Sequence, residues 1–363
     1  MVIGGYGHAG MQIVDLLLAV CEAHITVAGR NLARASRFVQ DRKAYASRLS
    51  GIALDARNSA QLGTAATGMD LVIVAAGTSS TVVPSALAVI AAGADFLDIQ
   101  VSAEKVRQLQ ALDEQVSASG RCIVTDGGFH PGLPAAMIRH AAASLPELET
   151  AHVSSVIAIN WRELSPTSDA TVEELMDAFR DYAYEEFADG CWRRAGRPRK
   201  VSFPAPFGQR YCSAMGLAEM RAVTASLPML RAGGFRVAGF NFITDFLVIP
   251  IVMAGMKFAP SLMAKPLARL LRASITHGSR PPYGTVLQLD GGAQGDNRTL
   301  LRVSHVDAYT MTAAPVVATI LQLLDGSARR PGVHLQAMLV DTPRFFADLQ
   351  RLGIQVDRFF QHR

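Results

Sequence analysis

Three glycines near the start of the chain have a spacing that suits phosphate binding. They stand in Val2-Ile3-Gly4-Gly5-Tyr6-Gly7-His8-Ala9-Gly10, where Gly5-x-Gly7-x-x-Gly10 fits the dinucleotide fingerprint. Gly5 would permit a tight strand-to-helix turn, Gly7 a close approach of backbone to a pyrophosphate, and Gly10 close packing of helix on strand. The phosphates would sit at the amide end of the helix, with Tyr6, His8 and Ala9 completing the contact. The apolar run Met11, Ile13, Val14, Leu16, Leu17 and Leu18 then reads as that helix, and Ile25-Thr26-Val27-Ala28-Gly29 as a second strand. The first strand is short against a usual length of about five or six residues. Either it is truncated or the natural start lies upstream of Met1, which the intact mass of the native protein would test.

At the end of the second strand an NAD site would place Asp or Glu, roughly 20 residues beyond the glycines, to accept from the ribose hydroxyls. Here the run is Gly29-Arg30-Asn31, with Arg34 one helical turn on. A guanidinium suits the 2′-phosphate of NADP, so NADP(H) is expected in preference to NAD. Asp55, after a third strand over residues 51–55, reads either as an adenine-edge contact or as a helix N-cap. Strands over 70–77, 95–99 and 122–125, with helices over 82–92 and 103–119 between them, complete an alternation that implies a doubly wound parallel sheet. The ends of its fourth to sixth strands should face the nicotinamide, which points to Ala76, Gly77, Thr78, Asp98 and the loop after Thr125.

The elements that must hold these residues need more than one core. At roughly 150 residues per domain, 363 residues suggest two. Half the residues are apolar and 18% are charged, which excludes a disordered chain. The 35 basic and 31 acidic residues leave only +4, and the run Arg193, Arg194, Arg197, Arg199 and Lys200 is broken by Gly and Pro, so no nucleic-acid partner is expected. Cys21, Cys122, Cys191 and Cys212 form no Cys-x-x-Cys pair, so no metal is expected. With no signal-peptide pattern, a reducing, cytoplasmic location is expected.

After the sixth strand the chain reads Gly127-Gly128-Phe129-His130-Pro131-Gly132-Leu133-Pro134. This turn resembles the saccharopine dehydrogenase-like family of NADP-binding oxidoreductases. Val27-Ala28-Gly29-Arg30-Asn31 with Arg34-Ala35, Ala91-Ala92-Gly93-Ala94-Asp95-Phe96-Leu97-Asp98, Phe203-Pro204-Ala205-Pro206-Phe207-Gly208, and Asp307-Ala308-Tyr309 with Thr312-Ala313 are similar to further segments of it. The resemblance implies a Rossmann domain (1–133) interrupted by an α+β substrate and dimerisation domain (134–305), with residues 306–363 returning to the first. It implies hydride transfer to or from a C=N, C=O or enoyl group. A non-catalytic NADP-binding protein is the alternative. The family includes imine reductases, lipid enoyl reductases and a lipid-droplet member, so the substrate stays open.

Such a reaction needs a proton donor or acceptor beside the substrate atom. His130, on the loop expected at the nicotinamide, is the first candidate; Tyr182 and Tyr283 follow, then His277, with Arg162 as a carboxylate clamp. No Tyr has Lys four residues on, and neither Gly-x-Ser-x-Gly nor His-Glu-x-x-His occurs. In the second domain, a strand over 152–161 and a helix over 171–187 are expected, the latter opened by a Thr171-x-x-Glu174 capping box. A strand pair over 285–292 and 298–305, a helix over 309–324 and short strands at 333–336 and 354–356 follow. The apolar, basic stretch 240–272 has three readings: a buried core or dimer helix, the wall of a pocket for a hydrophobic small molecule, or peripheral membrane contact.

Overall fold

A computed structural model describes the chain except residues 78–80, 164–175, 177–181, 294 and 361–363. Two compact units emerge. The first holds Met1–Ala136 and Tyr309–Gly353, the second Met137–Ala308 and Ile354–Arg363.

The first unit carries a parallel sheet of β1 (Val2–Ile3), β2 (Ile25–Gly29), β3 (Leu49–Ala53), β4 (Leu71–Val74), β5 (Asp95–Asp98), β6 (Cys122–Thr125) and the late strand Gly332–Leu335. Their order is Gly332–Leu335, β6, β5, β4, β1, β2, β3. β1 has only two residues, yet it is central: Val2 and Ile3 pair with Val27 and Ala28 on one side and with Ile73 and Val74 on the other. β4, β5 and β6 are buried along their whole length, as strands covered on both faces must be. The strand order reverses between β1 and β4, the point where doubly wound sheets open a ligand crevice at their carboxyl ends.

The helix expected over 103–119 is two helices, Ala103–Gln110 and Asp113–Ala118. Asp113 and Glu114 suit a helix start, and the Asp113 carboxylate accepts the Val333 amide at 2.7 Å, which ties that start to the late strand. The returning segment also grips the glycine-rich turn after β6. Gln336 is fully buried; its Nε2 donates to the Gly128 carbonyl at 3.0 Å and its Oε1 accepts the Gly128 amide at 3.2 Å.

The second unit is built on a mixed sheet of β7 (Thr150–Ala158), β8 (Glu185–Ala188), β9 (Cys191–Arg194), β10 (Arg199–Ser202), β11 (Gln209–Met215), β12 (Ala232–Ala238), β13 (Gly284–Gly292), β14 (Arg298–His305) and the strand Gln355–Arg358. The path runs β10, β11, β12, β7, β13, β14, Gln355–Arg358, with β8 beside β12 and β9 paired to β8. Two expectations are corrected here. The helix expected to reach Phe187 does not: Glu185–Ala188 is a strand, its Phe187 ring packed at 5.7 Å on Trp192. The Thr171 capping box lies outside the described residues. Residues 355–358, expected with the first domain, pair antiparallel with β14, Val356 opposite Val303, which buries Val356 at the sheet edge.

Replacing Gln336 with Leu should leave two buried backbone groups of Gly128 without partners. Urea unfolding should then show a loss of roughly 2–4 kcal/mol; an unchanged midpoint would refute the clamp.

Candidate dinucleotide site

The glycine loop leaves β1 through a turn that has no space for side chains. Gly4, with φ +75°, makes the left-handed step, and a Cβ on it would collide with the Ala75 carbonyl at the end of β4. The tight turn expected of Gly5 thus belongs to Gly4; Gly5 instead sits where a Cβ would meet Val27 Cγ1 at 3.0 Å. A Cβ on Gly10 would strike the Gly4 carbonyl, the same oxygen that accepts the Gly7 amide at 2.8 Å. The helix His8–Val20 then starts from an extended Gly7 that caps it with no side chain. Its first amides, including those of His8 and Ala9, carry the positive end of the helix dipole to the switch point, a fit for a pyrophosphate. His8 stacks on Tyr309 at 5.0 Å.

Tyr6 links this loop to the end of β2. Its hydroxyl accepts the Asn31 amide at 2.9 Å, and its ring lies 4.9 Å from the Arg34 guanidinium. Asn31 caps the helix Leu32–Gln40 by accepting the Arg34 amide at 3.0 Å. Arg30 is exposed beside them, near enough to Asp55 to contribute to its acidity. Arg57, missed in the sequence, is the main partner of Asp55. Its Nε and Nη2 donate to the two carboxylate oxygens at 3.1 and 2.9 Å, holding the Asp55 pKa down at about 2. Asp55 therefore orients an arginine; the cap of the following helix is Asn58. The ends of β2 and β3 thus bring three guanidiniums, Arg30, Arg34 and Arg57, to one edge of the sheet. The local signal for Arg57 was its position two residues after Asp55.

At the other end of the crevice, Ala76 and the exposed Gly77 follow β4, and the Ala76 carbonyl accepts from Gln100 Nε2. Thr78 lies outside the described residues. Asp98, expected to face the cofactor, is fully buried and committed elsewhere. It accepts from Lys105 Nζ at 2.5 Å, Thr125 Oγ1 at 2.8 Å and the Gln100 amide at 3.1 Å. Lys105 also donates to Asp126 at 3.1 Å. Desolvation pulls the Lys105 pKa down, but the Asp98 and Asp126 charges more than reverse it, so the ammonium is retained. Asp126, desolvated and beside Asp98, rises to about 6 despite Lys105. This buried cluster stiffens the ends of β5 and β6, and nothing in the local sequence marks it.

His130 follows that turn, its ring 4.3 Å from Phe129. Burial lowers its pKa to about 4, so the imidazole is neutral at pH 7 and can act as base or N–H donor. Tyr182 and Tyr283 lie in the second unit. The Tyr182 hydroxyl donates to the Ala214 carbonyl at 3.0 Å, and burial raises its pKa. Tyr283 is half-buried just before β13. Arg162 donates to the Thr276 and His277 carbonyls at 3.4 and 3.2 Å. The Cys122 thiol is pushed up to about 12 by burial and is inert. Among the described residues no group of side chains could hold a metal ion, and no helix is long and apolar enough to cross a membrane.

Residues 1–124 match the family model of the saccharopine dehydrogenase NADP binding domain. They form a saccharopine dehydrogenase-type NADP-binding domain. The glycine loop, Tyr6 and the Arg30–Arg34 edge all lie within this domain. The whole chain also shares its fold with apo saccharopine dehydrogenase (L-Glu forming) from Saccharomyces cerevisiae, at a TM-score of 0.66 and 14% identity over 98% of each chain. Weaker likenesses include an engineered D-amino acid dehydrogenase bound to NADP+ (TM-score 0.46, 13% identity, 95% of this chain and 94% of that one). Another is a meso-dapdh mutant with DAP from Clostridium tetani E88 (TM-score 0.44, 14% identity, 96% and 94%). No curated sequence matches the chain.

Lys105→Met should strand two buried carboxylates and cost about 3–5 kcal/mol in chemical denaturation. The Asp126 pKa rises from 3.8 to about 6 on folding, so between those values the folded state binds more protons and stability falls as pH rises. Wild-type stability, taken relative to Asp126→Asn, should therefore decline across that window; a rising difference would contradict the cluster.

Proposed function

We propose that the chain is an NADP(H)-dependent oxidoreductase, related to saccharopine dehydrogenase, that moves a hydride to or from a C=N, C=O or enoyl carbon of a small molecule. The observation that carries this reading is the guanidinium edge beside the glycine loop. A 2′-phosphate brings about two negative charges, which Arg30, Arg34 and Arg57 would neutralise through charge-assisted bonds. Gly4 to Gly10 would hold the pyrophosphate, and the ends of β4 to β6 would border the nicotinamide. When bound, the nucleotide supplies the hydride. The chain's own part is to orient it and to handle a proton.

His130 is the proposed proton partner. Being neutral at pH 7, it would take the substrate's proton in the oxidation direction; in reduction it would first take up a proton from solvent and pass that proton to the substrate heteroatom, returning to the neutral imidazole. A second reading, a non-catalytic NADP-binding protein, is favoured by two facts: the Tyr182 hydroxyl is committed to a backbone carbonyl, and the His130 pKa lies far from neutrality. NADPH consumption across amine–carbonyl pairs, ketones and enoyl thioesters separates the two. Tight binding with no consumption by any class would support the second.

Arg30→Ala should weaken NADPH binding by about 1.5–3 kcal/mol and leave NADH binding unchanged, read by cofactor fluorescence. Equal loss for both would refute the 2′-phosphate assignment. With an active substrate, His130→Gln should lower kcat at least about tenfold while the Kd for NADPH holds. The wild-type kcat/KM profile should show no inflection near the usual histidine pKa of about 6.5.

A further inference from the structure

The second unit's helical stretch, a π-helical turn Thr244–Val248 followed by helices Ile249–Phe258 and Pro260–Gly278, is apolar on two opposite sides. Its inner stripe, Val248, Val252, Met256, Leu267 and Leu271, packs into a core with Trp161 and Met176. Its outer stripe places Phe242, Phe246, Leu247, Ile251, Phe258 and Leu262 in solvent, with Phe258 81%, Phe242 77% and Leu262 76% exposed. The four-residue steps 244, 248, 252, 256 inward and 243, 247, 251 outward show that both stripes follow the helical period. A helix apolar all round belongs in a core or in lipid, and a contiguous exposed apolar patch marks an interaction site.

The charges on this stretch identify the cover. Lys257, Lys265, Arg269 and Arg272 face one acid between residues 240 and 278, Asp245, a net of 4 − 1 = +3. Lys257, Lys265 and Arg269 are exposed among the outer apolar side chains. Asp245 is turned inward, its carboxylate accepting the Phe240 amide at 2.8 Å. A second copy seated on the same face about a twofold axis would set these cations against themselves. A neutral apolar partner would leave them without counter-charge.

We infer that this face docks on an anionic phospholipid bilayer. Phe242, Phe246, Leu247, Phe258 and Leu262 enter the boundary between headgroups and acyl chains, about 5–10 Å deep. Lys257, Lys265 and Arg269 meet the lipid phosphates. The inference is independent of the nucleotide site.

Co-sedimentation of the full chain with vesicles tests it. Binding is expected on phosphatidylcholine mixed with phosphatidylglycerol, weaker on phosphatidylcholine alone, and diminished by salt. A cation at such a surface is worth about fivefold in partition, so Lys265→Gln with Arg269→Gln should cost about 25-fold. Phe246→Ser with Phe258→Ser should abolish binding, with far-UV circular dichroism and NADPH fluorescence confirming the fold. Should that variant not fold, the charge variant, which leaves the core stripe intact, decides alone. No sedimentation with either vesicle overturns the inference, as does equal binding to both. A dimer that Phe258→Ser dissociates, with no vesicle binding, assigns the face to a second copy and overturns it too.

Discussion

The first unit depends on a steric constraint: at Gly4 and Gly10 there is no volume for a Cβ. The Gly4 carbonyl is wedged between the Gly7 amide that it accepts and the Gly10 backbone that passes over it. Because that contact is closed, the helix His8–Val20 meets the sheet directly where the strand order reverses. The helix therefore begins at that reversal with no side-chain cap on its first amides. The nucleotide-binding character of the domain follows from this packing as much as from any charged residue.

Charge enters at two places, handled in opposite ways. At the ends of β2 and β3 the guanidiniums stay exposed, in high dielectric, where they cost little to keep and can meet a phosphate. At the ends of β5 and β6, Lys105, Asp98 and Asp126 are fully shielded, and each is supported by hydrogen bonds. Removing Lys105 would leave both buried carboxylates without their cation, which is why the cluster serves to hold backbone in place. Gln336 extends the same logic to a neutral group, closing the Gly128 turn from a segment more than 200 residues away.

The second unit shows how apolar content can be divided. Part of the hydrophobic excess in residues 240–278 is ordinary core, packed under Trp161. The rest faces outward together with cations, a combination that a water-facing surface does not need. Of the three readings of this stretch, the core helix describes one side; the other side is exposed, and there the proposed docking face would lie.

The sequence by itself determined the parallel strands of the first unit, the glycine loop and the Arg30–Arg34 edge. Those signals are local: apolar runs, glycine punctuation and a cation at a set distance along the chain. Even there, the left-handed step moved from Gly5 to Gly4, because which glycine bends is decided by what it packs against, here the end of β4. Only tertiary structure decided that Asp98 is structural, that Arg57 holds Asp55, that Gln336 clamps Gly128, and that Gln355–Arg358 joins the second sheet. Each is a pairing between groups distant in sequence or dependent on burial, and no local pattern encodes a partner that long-range folding supplies.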